Sequence, residues 1–258
     1  MNEAHTEKLR ISLDGKFKFS CHKDLACYNT CCRDVNIFLT PYDVLRMRRA
    51  TGLSSGEFLR EYTVALLGEE GIPLVVLRMK EDEDKTCRFV AGDGCGIYLD
   101  RPWSCRMYPV FPVSSKEEEF LIEQKSKCLG VKEEKQWTPK EWKKDQDIEI
   151  YDKMNESYKE ITHHDYFQDG NKLDSGKTKL LYTACYDLDQ FRKFLFNSRF
   201  FDIYDVADET IEKLRNDEEE LLIFGYRWVR FSLFSEDTLK LKDKEMEKLI
   251  QSRSGASS

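Results

Sequence analysis

No stretch of the 258 residues approaches the run of about 20 apolar residues that a membrane-spanning helix requires. An excess of basic charge is also missing: 41 Lys and Arg face 48 Asp and Glu, for a net charge of −7 and a pI near 5.4. With both signs interleaved, nothing in the overall field favours nucleic acid. The opening MNEAHTEKLRISLDGKFKF has no apolar h-region and no small-residue cleavage site, so a secretory signal is not expected and a cytoplasmic location is. No internal repeat is visible. Cysteine and proline nearly vanish from about residue 130 onward.

Hydrophobic residues make up 40% of the chain, with 16 Phe and 12 Tyr, enough to build a globular core. Nine cysteines in a chain of this length lie well below the roughly 8–10% of disulfide scaffolds. Eight of them fall in the first half, at positions 21, 27, 31, 32, 87, 95, 105 and 128, and Cys185 stands apart. In a reducing compartment such grouped thiols read as metal ligands rather than disulfides.

Along the chain, Phe17 and Phe19 alternate with Lys16 and Lys18 as in a short strand. The knot from Cys21 to Cys32 is too rich in short polar residues for a regular element and reads as loop. Thr40-Pro41-Tyr42-Asp43 carries the N-cap, Pro and acid signature of a helix start, and Gly52 ends that helix. Ser54-Ser55-Gly56-Glu57 is a capping box for a second helix with Phe58, Leu59, Tyr62 and Leu66 on its apolar side. Leu74 to Met79 reads as a strand, the acidic Glu81–Asp84 as a turn, Cys87 to Val90 as its partner strand, and Phe120-Leu121-Ile122 as another. Thr138-Pro139-Lys140-Glu141 opens a charged amphipathic helix through Tyr158. Residues 178–198 and one long helix from Asp208 to Phe234 continue the helical periodicity. Residues 1–10 are expected to be loosely held and the tail from Ser252 disordered. The fold class expected is α+β: a small cysteine-rich domain over 1–135 with a short antiparallel sheet and helices, then a mostly α-helical domain over 136–258.

Soft sulfur donors match zinc, Cu(I) and iron–sulfur clusters. Both a structural zinc and a four-iron cluster take four ligands, so eight thiols suffice for two sites, or for one site with further thiols around it. The residues between successive cysteines number five, three, none, 54, seven, nine and 22, which is not the paired CxxC…CxxC of a zinc ribbon. Irregular spacing and the adjacent Cys31-Cys32 favour a cluster. Cys21, Cys27, Cys31, Cys32, Cys87, Cys95, Cys105 and Cys128 are the candidate ligands. Arg101 and Arg106 are candidates for steadying thiolate or cluster sulfur, or else for pairing with Asp93 or Asp100. Tyr98 and Tyr108 read as packing around the site, His22 as an alternative ligand, His163-His164 as solvated surface, and Cys185 as a buried inert thiol.

The succession Cys…Cys…Cys-Cys, then Leu39-Thr40-Pro41-Tyr42-Asp43, Glu57-Phe58-Leu59, Cys95-Gly96-Ile97-Tyr98, Arg101-Pro102 and Cys105-Arg106-Met107-Tyr108-Pro109 resembles the YkgJ-type cysteine-cluster family, described as a zinc- or iron-chelating domain. Cys128-Leu129-Gly130 is similar to that family's final Cys-Pro-Gly, with Leu in place of Pro, and the first block is wider than the family's CxxCxxCC. The resemblance covers roughly residues 20–135. It implies a metal site, and through the flagellin lysine N-methylases of the same family it associates the fold with an iron–sulfur cluster and S-adenosylmethionine.

The function expected is therefore a cytoplasmic protein holding an iron–sulfur cluster, 4Fe-4S in type, with a redox or cluster-dependent role and a protein or redox partner. The alternatives are a zinc-stabilised binding module without catalysis and an S-adenosylmethionine-dependent protein lysine methylase.

Overall fold

The computed structural model describes residues 9–92, 94–113, 119–124 and 127–245. The first eight residues, Asp93 and the tail from Ser252 lie outside the described residues. The fold is α+β, with small antiparallel sheets and many short helices.

The first half runs β1 (Leu9–Ser12), β2 (Phe17–Lys18), a 3-10 turn over Thr30–Cys32, β3 (Phe38–Leu39), α1 (Pro41–Thr51), α2 (Ser55–Tyr62), β4 (Thr63–Leu67) and β5 (Pro73–Leu77). It continues with β6 (Val90–Ala91), β7 (Gly94–Cys95), α3 (Trp103–Met107), β8 (Val110–Pro112), β9 (Glu119–Ile122) and β10 (Gln136–Trp137). The helices that follow are α4 (Pro139–Asp145), α5 (Ile148–Thr162), α6 (Asp165–Gln168), α7 (Ser175–Cys185), α8 (Leu188–Asn197), α9 (Phe200–Ile203), α10 (Asp208–Asn216) and α11 (Glu218–Phe234).

Strand order is β1-β9-β8 in one sheet and β3-β5-β4 in another, with β10 paired to β2 and β6 to β7. The chain forms two compact units: residues 1–51, 62–64 and 75–153, and residues 52–61, 65–74 and 154–258. In the first, Phe17, Phe19, Met107, Val110, Phe120, Ile122, Trp142 and Ile148 make a buried cluster, with Trp142 edge-on to Phe19 at 5.3 Å and to Phe17 at 6.3 Å. Burying each such side chain contributes roughly 1.5–3 kcal/mol. The register Leu9↔Ile122 and Ile11↔Phe120, with Val110↔Ile122 beyond, sends Phe120 and Ile122 inward together, because alternate residues of a strand share a face. This cluster lies under the polypeptide that carries Cys105 and Cys128.

The second unit is helical. Leu181, Ala184 and Cys185 of α7, Phe191 and Leu195 of α8, and Leu221, Leu222, Phe224, Tyr226 and Val229 of α11 are buried in it. Helix α11 comes so near to α7 that a Cβ added at Gly225 would lie 2.2 Å from the Ala184 carbonyl oxygen.

The capping signatures read from sequence are formed. Thr40 Oγ1 receives the Asp43 N–H at 3.2 Å while Asp43 Oδ2 receives the Thr40 N–H at 2.8 Å. Ser54 with Glu57, and Thr138 with Glu141, make the same reciprocal bonds. The long helices, however, are shorter than periodicity suggests. The one expected through Tyr158 breaks at Asp147, whose φ is +52°. The one over 178–198 breaks at Tyr186-Asp187, where Asp187 caps α8 through the Gln190 N–H, and the one from Asp208 breaks at Asp217, which receives the Glu219 and Glu220 N–H groups. Short acidic side chains compete for helical backbone donors, and an apolar stripe does not register that competition. Helix α2 ends at Tyr62, so Leu66 sits on strand β4 and is exposed.

Candidate metal centre

Separate loops, turns, a strand and a helix of the first unit present the grouped thiols. Cys21 and Cys27 lie in the loop after β2, and Cys31 and Cys32 form the 3-10 turn that closes it. Cys87 follows the acidic turn and bridges Met79, while Cys95 ends β7. Cys105 is inside α3, and Cys128 stands at the N-cap of the 3-10 turn Leu129–Lys132. Cys185 ends α7 in the second unit, fully buried.

Backbone bonds draw these stations together. The Ser20 N–H donates to the Gly130 carbonyl at 3.0 Å and the Phe19 N–H to the Lys135 carbonyl at 2.9 Å, which lays the segment leading into Cys21 beside the Cys128 turn. Gly130 is required at this approach, since a Cβ there would come within 2.8 Å of the Ser20 carbonyl. The Leu129 N–H donates to Cys27 Sγ at 3.2 Å. The Cys87 N–H donates to the Cys32 carbonyl at 2.8 Å, beside the Arg33–Thr86 bridge. The tight β6–β7 hairpin sets Cys95 opposite Val90, with the Gly96 N–H donating to Phe89 at 2.8 Å.

Electrostatics records the same proximity. Lost solvation, then the neighbouring sulfurs of Cys31, Cys128 and Cys27, push Cys21 up to about 11. A hydrogen bond to Cys31 raises Cys32 most, followed by burial and by Cys31, Cys105 and Cys87. Burial, then Cys87, Cys95, Asp43 and Cys31, push Cys105 up to about 12. Burial also raises Cys87 and Cys95. Burial disfavours the thiolate at all five, and neighbouring sulfurs add to this at Cys21, Cys32, Cys87 and Cys105, so the five stay protonated at neutral pH unless a cation compensates them.

Some backbone donors already favour the thiolate form. The N–H groups of Phe89 and Val90 point at Cys87, and that of Ile97 at Cys95, each opposing the effect of burial. With Leu129 on Cys27, three of the eight sulfurs are cradled by backbone N–H groups. Such hydrogen bonds to sulfur tune thiolate-bound metals.

Arg101 lies within electrostatic reach of Cys105 and Cys95, and burial lowers its own pKa. It donates to the Tyr98 carbonyl at 2.5 Å and to Gln146 Oε1, and stacks over the Tyr98 ring at 3.8 Å. Arg106 donates to the carbonyls of Arg101 (3.0 Å), Gln146 (2.6 Å) and Leu99, and lies over Tyr151 at 4.7 Å. Asp100 instead pairs with Arg46 at 2.7 Å. The two arginines thus pin the Leu99–Arg101 turn between Cys95 and Cys105. Tyr108 packs in the aromatic cluster and hydrogen-bonds Cys128, whereas Tyr98 is 56% exposed. His22 stands between Asp24 at 3.5 Å and Glu133 at 3.6 Å. His164 is not simply solvated surface: it caps α6 through the Tyr166 N–H, stacks on Phe234 at 3.9 Å and pairs with Glu236 at 3.2 Å.

The sequence reading did not anticipate Asp43 or Gln146. Asp43 is wholly buried, with burial raising it to about 6 against the lowering effect of the Trp103 and Thr40 N–H groups. Its Oδ1 receives the Trp103 N–H at 2.7 Å and so anchors the start of α3, on which Cys105 rides. The Thr-x-x-Asp capping signature marked Asp43 for α1, but nothing local marks a second bond 60 residues away. Gln146 carries no sequence signal at all.

Among the described residues, no group of three or more His, Cys, Asp or Glu side chains stands at the spacing of a closed metal site. The donors nevertheless fit a thiophilic metal: eight free thiols within one compact unit, three of them cradled by N–H groups, with an arginine within electrostatic reach of two. Thiol clustering on a small α+β scaffold defines a metal-binding cysteine-cluster domain. Residues 20–135, just under half of the chain, match the sequence model of the CxxCxxCC family, described as a putative zinc- or iron-chelating domain. No curated protein and no solved structure matches the chain.

Proposed function

We propose that the protein holds an iron–sulfur cluster of the 4Fe-4S type through its clustered cysteines and works in electron transfer or a cluster-dependent reaction in the cytoplasm, with a redox partner protein. The observation that supports this reading is the presence of eight free thiols from separate chain segments in one compact unit, three of them cradled by backbone N–H groups. In this reading Cys21, Cys27, Cys31, Cys32, Cys87, Cys95, Cys105 and Cys128 supply the ligands, while Arg101 and Arg106 hold the turn between Cys95 and Cys105 in place. The cluster would supply a one-electron couple; the chain orients its sulfurs, donates N–H groups to them and limits water at Cys87 and Cys105. Residues 1–135 then act as the metal-binding domain and 136–258 as a helical domain beside it in sequence.

The test is iron and acid-labile sulfide analysis of anaerobically purified protein, with its visible spectrum. Iron matched by sulfide, with broad visible absorption, is the expected result. A colourless protein without iron or sulfide would refute the cluster. A second reading is a zinc-stabilised binding module, since the N–H groups of Phe89 and Val90 turned back on Cys87 suit a structural zinc thiolate as well as a cluster. Stoichiometric zinc without sulfide would establish it.

A further inference from the structure

We propose that the eight thiols form two four-thiolate metal sites that cross the order of the chain: Cys21, Cys27, Cys31 and Cys128 hold one, and Cys32, Cys87, Cys95 and Cys105 hold the other. The inference rests on the metal-binding reading above and is indifferent to which metal is bound.

Reading by sequence blocks alone would put Cys21, Cys27, Cys31 and Cys32 in one site and the four later thiols in another. The backbone contradicts that division at two places. Cys32 turns its carbonyl to the Cys87 N–H at 2.8 Å, so it lies with the second block, and the adjacent Arg33–Thr86 bridge holds it there. Cys128 belongs to the turn whose Gly130 carbonyl receives the Ser20 N–H and whose Leu129 N–H reaches Cys27 Sγ across 102 residues, so it lies with the first. Cys21 directly follows Ser20 and is thereby held beside the Cys128 turn. The Gly96 N–H on the Phe89 carbonyl at 2.8 Å ties Cys95 back to the Cys87 segment, and Arg106, bonded to the Arg101 carbonyl at 3.0 Å, fixes the short turn that leads from Cys95 to Cys105. Cys31 and Cys32, joined by a side-chain hydrogen bond on consecutive residues of one 3-10 turn, are where the two sets meet. Four thiolates each is the ligand number of a structural zinc and of a four-iron cluster alike.

The experiment is anaerobic alkylation mapping on the full chain loaded with zinc(II), read by mass spectrometry alongside metal content. The wild-type protein is expected to take two zinc equivalents and protect all eight thiols. In Cys128→Ser, Cys21, Cys27 and Cys31 become alkylated while Cys32, Cys87, Cys95 and Cys105 stay protected, and zinc content falls about twofold. In Cys32→Ser the pattern reverses. If Cys128→Ser instead exposes Cys87, Cys95 and Cys105 and spares the first block, the crossing is wrong. A single zinc equivalent, with all eight thiols lost together in both variants, would overturn the two-site arrangement while leaving metal binding intact. Wild-type protein that takes up no zinc and purifies without metal would sink the metal-binding reading itself. Should either variant fail to fold, partial loading of the wild type decides: protection appearing in these two sets of four supports the proposal, and protection in any other grouping refutes it.

Discussion

The chemistry of single residues divides the nine cysteines. Cys95 and Cys105 carry metal in the proposed function, so Cys95→Ser or Cys105→Ser should lower metal content and destabilise the first unit. Cys185 lies in apolar surroundings whose desolvation alone raises its pKa. Cys185→Ser should leave metal content unchanged while costing roughly 1–3 kcal/mol through a buried hydroxyl, as metal analysis and a denaturant melt would show. Equal metal loss in all three variants would contradict this division. A second residue-scale expectation concerns Glu236, which receives Arg230 Nε at 2.8 Å and a second guanidinium N–H at 2.5 Å. The Arg230 hydrogen bonds hold its carboxyl below the usual range. Its folded pKa is depressed, so its stabilisation is present above the unfolded carboxylate pKa of about 4.3 and is lost as pH falls through the lower folded value. Glu236→Gln should therefore cost at most about 1 kcal/mol at neutral pH, and the difference from wild type should close between about pH 5 and 3. A gap that stays constant across that range would refute the assignment.

Elements position the site through close approaches that tolerate little added volume. In the β6–β7 hairpin, Gly94 has φ +125°, and a Cβ there would meet Tyr28 Oη at 2.5 Å. Gly94→Ala should strain the hairpin by roughly 1–3 kcal/mol and, by displacing Cys95, weaken metal retention against a chelator. Unchanged retention would show that the hairpin does not hold a ligand. In the second unit, Gly225 allows α11 to lie against the backbone of α7. Gly225→Ala should destabilise by roughly 1–3 kcal/mol through overpacking, without altering metal content.

For the whole chain, metal removal should act on one compact unit and spare the other. Binding to the folded state stabilises it in proportion to the binding free energy, so stripping the metal withdraws that stabilisation from the unit that contains residues 75–153. Hydrogen exchange after chelation should show lost protection around Cys27–Cys32 and Cys87–Cys105, with α7, α8 and α11 keeping theirs. Uniform loss across both units would argue that the metal does not reside where the thiols gather.

Much of this was legible in the sequence because the relevant physics is local. The Thr40, Ser54 and Thr138 helix starts require a side-chain acceptor and an acid three residues on, and both partners lie within one turn. The inward faces of Phe17, Phe19, Phe120 and Ile122 follow from strand alternation, and the eight donors follow from composition. Helix breaks at Asp187 and Asp217 escaped notice because an aspartate that caps and one that is merely solvated look alike in a periodic pattern, and the break at Asp147 because a positive φ leaves no mark in such a pattern. Which thiols stand together was decided by tertiary structure alone. The bonds that set it, Cys87 to Cys32, Leu129 to Cys27, Ser20 to Gly130 and Trp103 to Asp43, join residues far apart in the chain. Spacing along a chain constrains neighbours within a turn, whereas contacts at long separation are set by sheet register and core packing. The sequence by itself determined that eight of the nine cysteines crowd into its first half; the backbone bonds between distant segments decided which of their chain segments lie side by side, because only sheet register and core packing act across such separations.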